Sequence, residues 1–303
     1  MPSVRGRLTT WLLRVTTPKG RTFLKPIDQQ RQEMEQRMAR FKLPRGVRQE
    51  AAMADGVPGE WLIPPGGGSG RVLMYLHGGG YYNGSLATHR AVVARLARAL
   101  QARAFHIDYR RAPEHPFPAG VEDCFRTYRW LLNNAPPARS LAIGGESAGG
   151  NLVMTTLLAA RDHGLPLPGA AFCLSPHLDF TFSGASITSN AHGECLYTLE
   201  ELEWMRGLYL GPRAADASLW ASPRVSPLHA DLAGLPPLLL HASATEMLRD
   251  DAITLAQRVR AAGGTAELKI WPGLFHGFHM VPFLPETRQA LREIAAFVAR
   301  HGG

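Results

Sequence analysis

Several residue types are scarce in this 303-residue chain, and each scarcity excludes a class of protein. The three cysteines, Cys124, Cys173 and Cys195, form no CxxC pair, which excludes a disulfide-rich scaffold and favours a reducing, cytoplasmic location. No apolar run reaches the roughly 18 residues that a membrane-spanning helix needs. The arginines near residue 1 are not followed by a clean apolar stretch, so we expect no signal peptide.

Acidic side chains are scarce in only one part of the chain. Residues 1–48 hold 12 Lys and Arg against 3 Asp and Glu, a net charge of +9, and we call this segment the basic arm. The other 255 residues hold 21 against 22, a net charge of −1, so the formal charge of +8 belongs to the arm. A nucleic-acid-binding domain carries its basic face on the fold itself. We therefore expect no nucleic-acid partner, and a role of the arm at a membrane surface stays open.

From residue 71 onward, short apolar runs alternate with segments of helical length. The runs predict six buried strands, at 71–76, 104–108, 140–144, 170–174, 238–242 and 266–271. The segments predict five helices, at 87–102, 118–134, 148–163, 250–262 and 286–300. Buried strands that alternate with helices are typical of an α/β fold whose parallel sheet is covered on both faces.

Two segments do not follow this alternation. Residues 1–45 combine basic side chains with apolar residues at helical spacing in 34–41. Residues 178–236 form a long excursion with one helical stretch, 199–210. A long insertion in a compact domain is usually functional and often covers a site as a lid.

The sequence Gly145-Glu146-Ser147-Ala148-Gly149 is a G-x-S-x-G motif between a predicted strand and a predicted helix. A serine on such a tight turn has unusual backbone dihedrals, and glycines two residues away on either side avoid a collision. The bare motif can arise by chance in a glycine-rich chain, but this placement is the context of a nucleophile elbow. Ser147 is therefore the candidate nucleophile.

A glycine run, His77-Gly78-Gly79-Gly80, directly follows the strand predicted at 71–76. A tetrahedral oxyanion needs two or three preorganised N–H donors, and glycines let the backbone approach it without a side chain. A glycine run can also be a simple flexible turn. Its position after a buried strand favours the oxyanion interpretation.

A serine nucleophile needs a base, and His276 is the candidate. It lies in a glycine-flanked loop between the last predicted strand and the last predicted helix. His279, three residues away, is the alternative. The other histidines are scattered, and none pairs with a cysteine or an acid at ligand spacing, so we expect no metal and no cofactor.

The base needs an orienting carboxylate, which is expected after the strand at 238–242. Glu246, Asp250 and Asp251 compete for this role. The two aspartates begin a predicted helix, where acids commonly cap N–H groups and complement the helix dipole. Glu246 is nearer to the end of the strand and is preferred, with Asp250 as the alternative.

Together these motifs resemble those of the hormone-sensitive-lipase-like branch of the α/β-hydrolases, also called the bacterial family IV esterases. The similarity covers roughly residues 50–301 and rests on five motifs: HGGG at 77–80, DYRRAPEHPFPAGVED at 108–123, GESAGG at 145–150, SPHLDFT at 175–181 and HGF at 276–278. Family members carry Asp-Pro-Leu-Arg-Asp-Glu after the seventh core strand, with the first Asp as the triad acid. Here Glu246 takes that position, and its extra methylene changes reach but not charge.

The resemblance implies an α/β-hydrolase fold, with a mostly parallel eight-stranded sheet flanked by helices. It also implies a helical cap built from the amino terminus and a late insertion. Residues 1–45 then form the amino-terminal part of the cap, and residues 46–303 form the catalytic domain, with the cap insertion at about 178–236. A homodimer is the further partner that the resemblance implies.

The resemblance also assigns roles. Ser147 is the nucleophile, His276 the base and Glu246 the orienting acid. The oxyanion hole is formed by the amides of Gly79, Gly80 and Ala148. Motif support is assigned to His77, Gly78, Gly145 and Gly149. A structural clamp between strand and helix is assigned to Asp108, Arg110, Glu114 and Asp123.

The function implied is a serine carboxylesterase that hydrolyses short-to-medium acyl esters through an acyl-enzyme, with a small hydrophobic ester as its partner and without stable membrane insertion. A lactone hydrolase or a small-molecule deacetylase would use the same triad. A non-catalytic binding protein is disfavoured, because all three triad positions are occupied.

Overall fold

The protein, as a computed structural model, is described for residues 1–17, 19–135 and 137–302. Its eight strands form one sheet in the order β1-β2-β4-β3-β5-β6-β7-β8. They are β1 (Arg48–Ala54), β2 (Val57–Ile63), β3 (Arg71–Leu76), β4 (Ala102–Ile107), β5 (Leu141–Glu146), β6 (Ala170–Leu174), β7 (Leu238–Ser243) and β8 (Ala266–Trp271). The pairs β1–β2 and β2–β4 are antiparallel and the other neighbours are parallel, so the prediction of a mostly parallel eight-stranded sheet is confirmed.

Helices cover both faces of the sheet. They are α1 (Val4–Thr16), α2 (Ile27–Met38), α3 (Leu86–Leu100), α4 (Ala119–Asn134), α5 (Ala148–Asp162), α6 (Ser186–Ser189), α7 (Leu199–Leu210), α8 (Ala217–Trp220), α9 (Arg249–Ala261) and α10 (Pro285–His301). The apolar sides of α4, α5 and α9 pack in one core cluster, and those of α3 and α10 pack in another on the opposite face. Strand β6 is buried at every position and β3 at every position but its first, which explains their continuous apolar sequences.

The junction between the first predicted helix and the strand that follows it was misplaced. The helix predicted at 87–102 ends at Leu100, because Gln101 adopts a left-handed conformation with φ 49°. Ala102 already belongs to β4, so the strand also begins two residues before its predicted start. Apolar residues continue through the junction, and their periodicity alone does not mark the end of a helix.

The antiparallel hairpin of β1 and β2 has no counterpart among the strands predicted from apolar runs. Most of β1 is exposed at the edge of the sheet, so it shows no alternation of buried and exposed residues. The signal that was missed is the turn Asp55-Gly56, in which both residues have positive φ, 49° and 82°. An Asp-Gly pair is a strong indication of a two-residue hairpin turn.

Two helical parts lie outside the sheet. Residues 1–45 form α1 and α2, so the basic arm is largely helical, and the helical stretch predicted at 199–210 is present as α7. Ser3 caps α1 and donates its backbone N–H to Glu286 Oε1 at 2.5 Å, which fixes α1 to α10. Within the described residues, no helix combines the length and apolar character needed to cross a membrane.

Candidate active site

Ser147 occupies the turn between β5 and α5 with φ 55° and ψ −121°. Its backbone N–H donates to the Leu174 carbonyl at 2.9 Å, which holds the turn against β6. A Cβ atom at Gly149 would lie 2.0 Å from the Leu76 carbonyl oxygen, and one at Gly145 would lie 2.6 Å from the same oxygen. Only glycine fits at these two positions, so the spacing of the motif follows from the contact between the turn and β3.

The structure brings the three predicted triad residues together. The Ser147 hydroxyl lies 2.9 Å from His276 Nε2, and His276 Nδ1 lies 2.7 Å from Glu246 Oε2. With the imidazole neutral, Nδ1–H donates to the carboxylate and Nε2 accepts from the hydroxyl. The other oxygen of Glu246 accepts the Ser243 N–H at 2.7 Å, which holds the carboxylate at the end of β7.

The alternative residues have other partners. Asp250 accepts the Ser186 N–H at 2.9 Å and pairs with Arg249 at 2.9 Å. Asp251 is buried and accepts the Leu178 N–H at 2.6 Å. His279 is buried against Phe278, with a ring separation of 3.8 Å.

The environment of His276 stabilises its protonated form. Burial lowers the pKa of the imidazole, but the hydrogen bond and charge of Glu246 raise it. The carboxylates of Glu194 and Glu146 add to this increase, and the net pKa lies above the ordinary value of 6.5. A carboxylate at Nδ1 therefore favours the imidazolium that forms when His276 accepts a proton from a serine.

Sequence reasoning missed Glu194. Its buried carboxylate accepts the N–H groups of Cys195 and Leu196, each at 2.9 Å, and that of Met247 at 3.2 Å. It therefore ties the 178–236 segment to the loop that carries Glu246. Burial raises the pKa of Glu194, which opposes the hydrogen bonds that favour its charged form. No motif surrounds Glu194, so only the contacts in the fold reveal it.

The glycine run after β3 turns sharply beside Glu146, the residue that precedes Ser147. Gly79 has φ 112° and Gly80 has φ 60°, both in the region that favours glycine. A Cβ atom at Gly79 would lie 2.4 Å from the Asn83 carbonyl oxygen, so the loop closes tightly on itself. Ala148, the third predicted donor, is the first residue of α5 and is buried.

Glu146, the neighbour of the nucleophile, holds this glycine loop in place. Its carboxylate accepts the Gly78 N–H at 2.5 Å, the Tyr75 hydroxyl at 2.5 Å and His89 Nε2 at 2.7 Å. Burial raises the pKa of Glu146, but His89 and the hydrogen bonds outweigh this effect, and the net pKa is below the ordinary value. The elbow and the glycine loop are thus joined by one buried carboxylate.

His77 is buried beneath the same loop. Its Nδ1 lies 2.8 Å from the Gly78 carbonyl, and its ring stacks on Tyr109 at 4.3 Å. Burial lowers the pKa of His77 well below the ordinary value, so the ring is neutral. These contacts agree with a supporting role rather than a chemical one.

The predicted clamp is present only in part. Arg110 pairs with Asp123 through two nitrogens at 2.9 and 3.1 Å, which joins the segment after β4 to α4. Glu114 does not join this strand to this helix; it receives a bidentate bond from Arg31 of α2, at 2.7 and 2.8 Å. Its partner lies 83 residues away in the chain, which is why the local sequence did not indicate it.

Side chains from α7 and the preceding loop reach the site. Tyr197 presents its ring to that of His276 in a T-shaped arrangement at 5.2 Å. Met205 lies so close to Gly80 that a Cβ there would be 2.5 Å from its sulfur. Tyr209, an aromatic residue of α7, packs instead on Tyr81 in the core, with ring centroids 4.0 Å apart.

Across residues 1–17, 19–135 and 137–302, no group of three or more His, Cys, Asp or Glu side chains could hold a metal ion.

The chain is similar to several proteins of known fold and activity. A family model described as the alpha/beta hydrolase fold matches residues 73–280. An "Acetyl-hydrolase" of Streptomyces hygroscopicus is 42% identical over 243 residues, which are 79% of this chain and 78% of that protein. The crystal structure of an esterase from the bacterial hormone-sensitive lipase family superposes with a TM-score of 0.91 at 39% identity and 100% coverage of both chains. The esterase EstE5, in crystals soaked with p-nitrophenyl butyrate, gives a TM-score of 0.91 at 38% identity and 99% coverage of both chains.

Proposed function

Because this chain belongs to the hormone-sensitive-lipase-like branch of the α/β-hydrolases and is a carboxylic ester hydrolase, we propose that it hydrolyses short-to-medium acyl esters through a serine-bound acyl-enzyme. The observation that carries this proposal is the hydrogen-bonded series Ser147–His276–Glu246, with separations of 2.9 and 2.7 Å. Three groups in this order perform nucleophilic attack, proton transfer and orientation of the base.

In the proposed first step, the Ser147 hydroxyl oxygen attacks the ester carbonyl carbon while His276 Nε2 takes the hydroxyl proton. The imidazolium then gives this proton to the leaving alcohol oxygen as the carbon–oxygen bond breaks. In the second step, His276 takes a proton from water, which attacks the acyl carbon. The imidazolium then returns this proton to the Ser147 oxygen as the bond between that oxygen and the acyl carbon breaks, which releases the carboxylic acid and restores the serine hydroxyl. Glu246 keeps Nδ1 protonated throughout, so that Nε2 is free to accept.

The tetrahedral oxyanion in both steps is assigned to the amides of Gly79, Gly80 and Ala148. The left-handed glycines support this assignment, because amides of such a turn can point to one side of the backbone. Loss of one oxyanion donor typically costs about 10²–10³ in kcat. Glu146 fixes this loop against the elbow and thereby keeps the amide donors and Ser147 in fixed positions relative to each other.

We propose that residues 1–45 and the insertion at about 178–236 form a cap over this site. Tyr197 and Met205 support the part of the cap assigned to the insertion, since both belong to it and reach the loops of the site. Their apolar side chains favour a neutral acyl group. The close approach of Met205 to Gly80 favours a short acyl chain over a long one.

Replacing Ser147 with Ala tests the nucleophile. We expect kcat for p-nitrophenyl butyrate to fall by about 10⁴–10⁶, because the oxyanion hole and substrate binding alone leave only a small residual rate. Rates are measured by release of p-nitrophenol. The matched control is Ser189→Ala, which removes an exposed hydroxyl in α6 and should leave kcat unchanged. Turnover by Ser147→Ala near the level of the control would contradict the proposal.

The acyl-enzyme has its own signature. With a p-nitrophenyl ester whose deacylation is slow, the first turnover should release about one equivalent of p-nitrophenol in a burst. Intact-protein mass spectrometry of the quenched reaction should then show one acyl adduct on the wild-type chain and none on Ser147→Ala. A linear time course without an adduct would favour direct attack by water.

A small-molecule deacetylase is the second candidate, and the name of the Streptomyces relative favours it. The same triad would act on an acetyl ester. A series of p-nitrophenyl esters from acetate to decanoate, with several lactones, separates the possibilities by kcat/KM. A maximum at acetate would favour deacetylation, and faster turnover of lactones would favour the lactonase alternative.

We also propose a homodimer and a reducing, cytoplasmic location. The dimer is supported by the outer edge of β8, which has no neighbouring strand among the described residues. The location is supported by the three cysteines, which are all buried and unpaired. Sedimentation velocity and cell fractionation test the two points separately.

A further inference from the structure

Helix α1 presents a row of large apolar side chains to solvent. We call this row the α1 stripe, and its members are Val4, Leu8, Trp11, Leu12 and Val15, with relative exposures of 70%, 60%, 58%, 50% and 59%. A helix on the surface of a folded protein normally turns such residues toward the core. An exposed apolar patch of this kind is typical of an interaction site.

The α1 stripe is continuous along the helix. At about 100° of rotation per residue, its five members fall within an arc of about 100°. The opposite side of α1 contacts the body: Gly6 and Thr10 are buried, and Leu13 packs on the cluster around Phe278. One side of α1 is therefore packed against the protein, and a separate apolar side is exposed to solvent.

Basic side chains border the α1 stripe on both sides. The same rotation places Arg5 at one edge and Arg7 and Arg14 at the other, and all three are exposed. Residues 1–27 contain six Lys and Arg and no Asp or Glu. An apolar strip between rows of arginine is the pattern of a helix that lies in the plane of an anionic lipid surface.

Helix α1 is held firmly enough to present this surface. Glu286 of α10 accepts the backbone N–H and the hydroxyl of Ser3, at 2.5 and 3.1 Å. The Thr10 hydroxyl donates to the Gly273 carbonyl at 3.3 Å, and Arg14 donates to the Gly193 carbonyl at 3.2 Å. These two carbonyls belong to the loops that carry the catalytic histidine and the buried carboxylate beside it, so α1 lies next to the site.

We propose that the α1 stripe docks the protein onto an anionic lipid surface, with α1 parallel to the interface. The apolar side chains enter the boundary between headgroups and acyl chains, while the arginines at its edges bind the anionic headgroups. A second copy of the chain is a poorer occupant, because pairing two such stripes would bring arginines of like charge together. Nucleic acid would use the arginines but would leave the apolar residues in water.

Co-sedimentation of the full chain with vesicles tests this proposal. One set contains equal parts of phosphatidylglycerol and phosphatidylcholine, and the other contains phosphatidylcholine alone. We expect binding to the anionic set at low salt, at least tenfold weaker binding to the neutral set, and weaker binding to the anionic set as salt increases.

Two pairs of variants separate the apolar and the basic contributions. Leu8→Glu/Trp11→Glu should weaken binding to anionic vesicles at least tenfold, because it places charge within the stripe. Its control is Met53→Glu, which changes a residue of the same 58% exposure on β1. Arg5→Gln/Arg7→Gln should weaken binding several-fold and reduce its salt dependence.

The control for the arginine pair is Arg98→Gln/Arg129→Gln, which removes two exposed arginines of α3 and α4. Every variant should keep the far-ultraviolet circular dichroism spectrum and the unfolding midpoint of the wild type, which verifies folding. The proposal is overturned by equal vesicle binding of Leu8→Glu/Trp11→Glu and wild type. It is also overturned if the wild-type chain does not bind anionic vesicles, or if Leu8→Glu/Trp11→Glu changes only the dimerisation of the chain. Binding to DNA that depends on Arg5 and Arg7, without binding to vesicles, would overturn it as well.

Discussion

His276 binds its proton more tightly than a histidine in water, although its burial alone would have the opposite effect. The difference comes from carboxylates, above all from Glu246 at 2.7 Å. In the proposed mechanism, only the neutral imidazole can accept the proton of Ser147. The active form is therefore populated above the pKa of His276 and is lost as the pH falls through it.

This arrangement predicts the pH dependence of kcat/KM. The acid limb of the wild-type profile should have its midpoint above 6.5, the ordinary value for histidine. Glu246→Gln removes the charge and the preferred tautomer, so kcat should fall by about 10²–10⁴ and the midpoint of the residual activity should move to lower pH. Asp250→Asn is the control and should alter neither quantity. Loss of activity in Asp250→Asn alone would transfer the acid role to Asp250.

At the scale of elements, Arg31 makes the most extensive hydrogen-bonded contact between α2 and the body, beside the single bonds of Gln30 with Tyr82 and of Glu35 with Ser85. The guanidinium of Arg31 donates to both oxygens of Glu114 and to the carbonyls of Ala112 and Tyr82, all at 2.7–2.8 Å. Few side chains other than arginine can make four such bonds, because the others lack the planar fork of donors. One residue thus joins α2 to the segment after β4 and to the loop that follows Gly80.

Arg31→Lys should therefore destabilise the protein although the charge is kept. We expect the free energy of unfolding to fall by about 1–2 kcal/mol, because an ammonium group replaces only part of the fork. Urea unfolding followed by circular dichroism measures the change. Arg48→Lys, in an ion pair whose arginine is 70% exposed, should change it by less than about 0.5 kcal/mol. Equal stability of the two variants would show that the fork contributes nothing.

Elements with strong local signals were predictable from the sequence, and elements defined by distant contacts were not. The strand at 71–76 was predictable from its continuous apolar run, and the helix at 118–134 was predictable from the helical spacing of its apolar residues. The edge strand β1 was not, because exposure removes the pattern on which such predictions depend. The same distinction applies to the site: Ser147 lies in a local motif, whereas Glu194 acts only through contacts made by folding.

At the scale of the whole molecule, buried histidines make stability depend on pH. Burial lowers the pKa of His177 and of His241 to about 4, and it lowers those of His77, His106 and His279 as well. Each stays neutral in the folded state at a pH where the unfolded chain binds a proton. Their contribution to stability is therefore present above pH 6.5 and is lost as the pH falls toward the folded-state pKa.

The contribution of one such residue can be isolated in His241, which lies in β7. Between pH 7 and pH 5, a folded-state pKa of about 4 should account for about 2 kcal/mol of lost stability. In His241→Phe the free energy of unfolding should therefore change by about 2 kcal/mol less than in wild type over this interval. Urea titrations at the two pH values give this difference directly. Identical pH slopes would contradict a neutral buried His241.

The glycines of the elbow have a consequence for how this enzyme can change. Backbone oxygens occupy the space beside Gly145 and Gly149, so no mutation there preserves the turn that holds Ser147. Tyr197 and Met205, by contrast, reach the site from the 178–236 segment rather than from the sheet. If the proposed cap selects the substrate, specificity can change through residues of this segment while the turn that holds Ser147 stays the same.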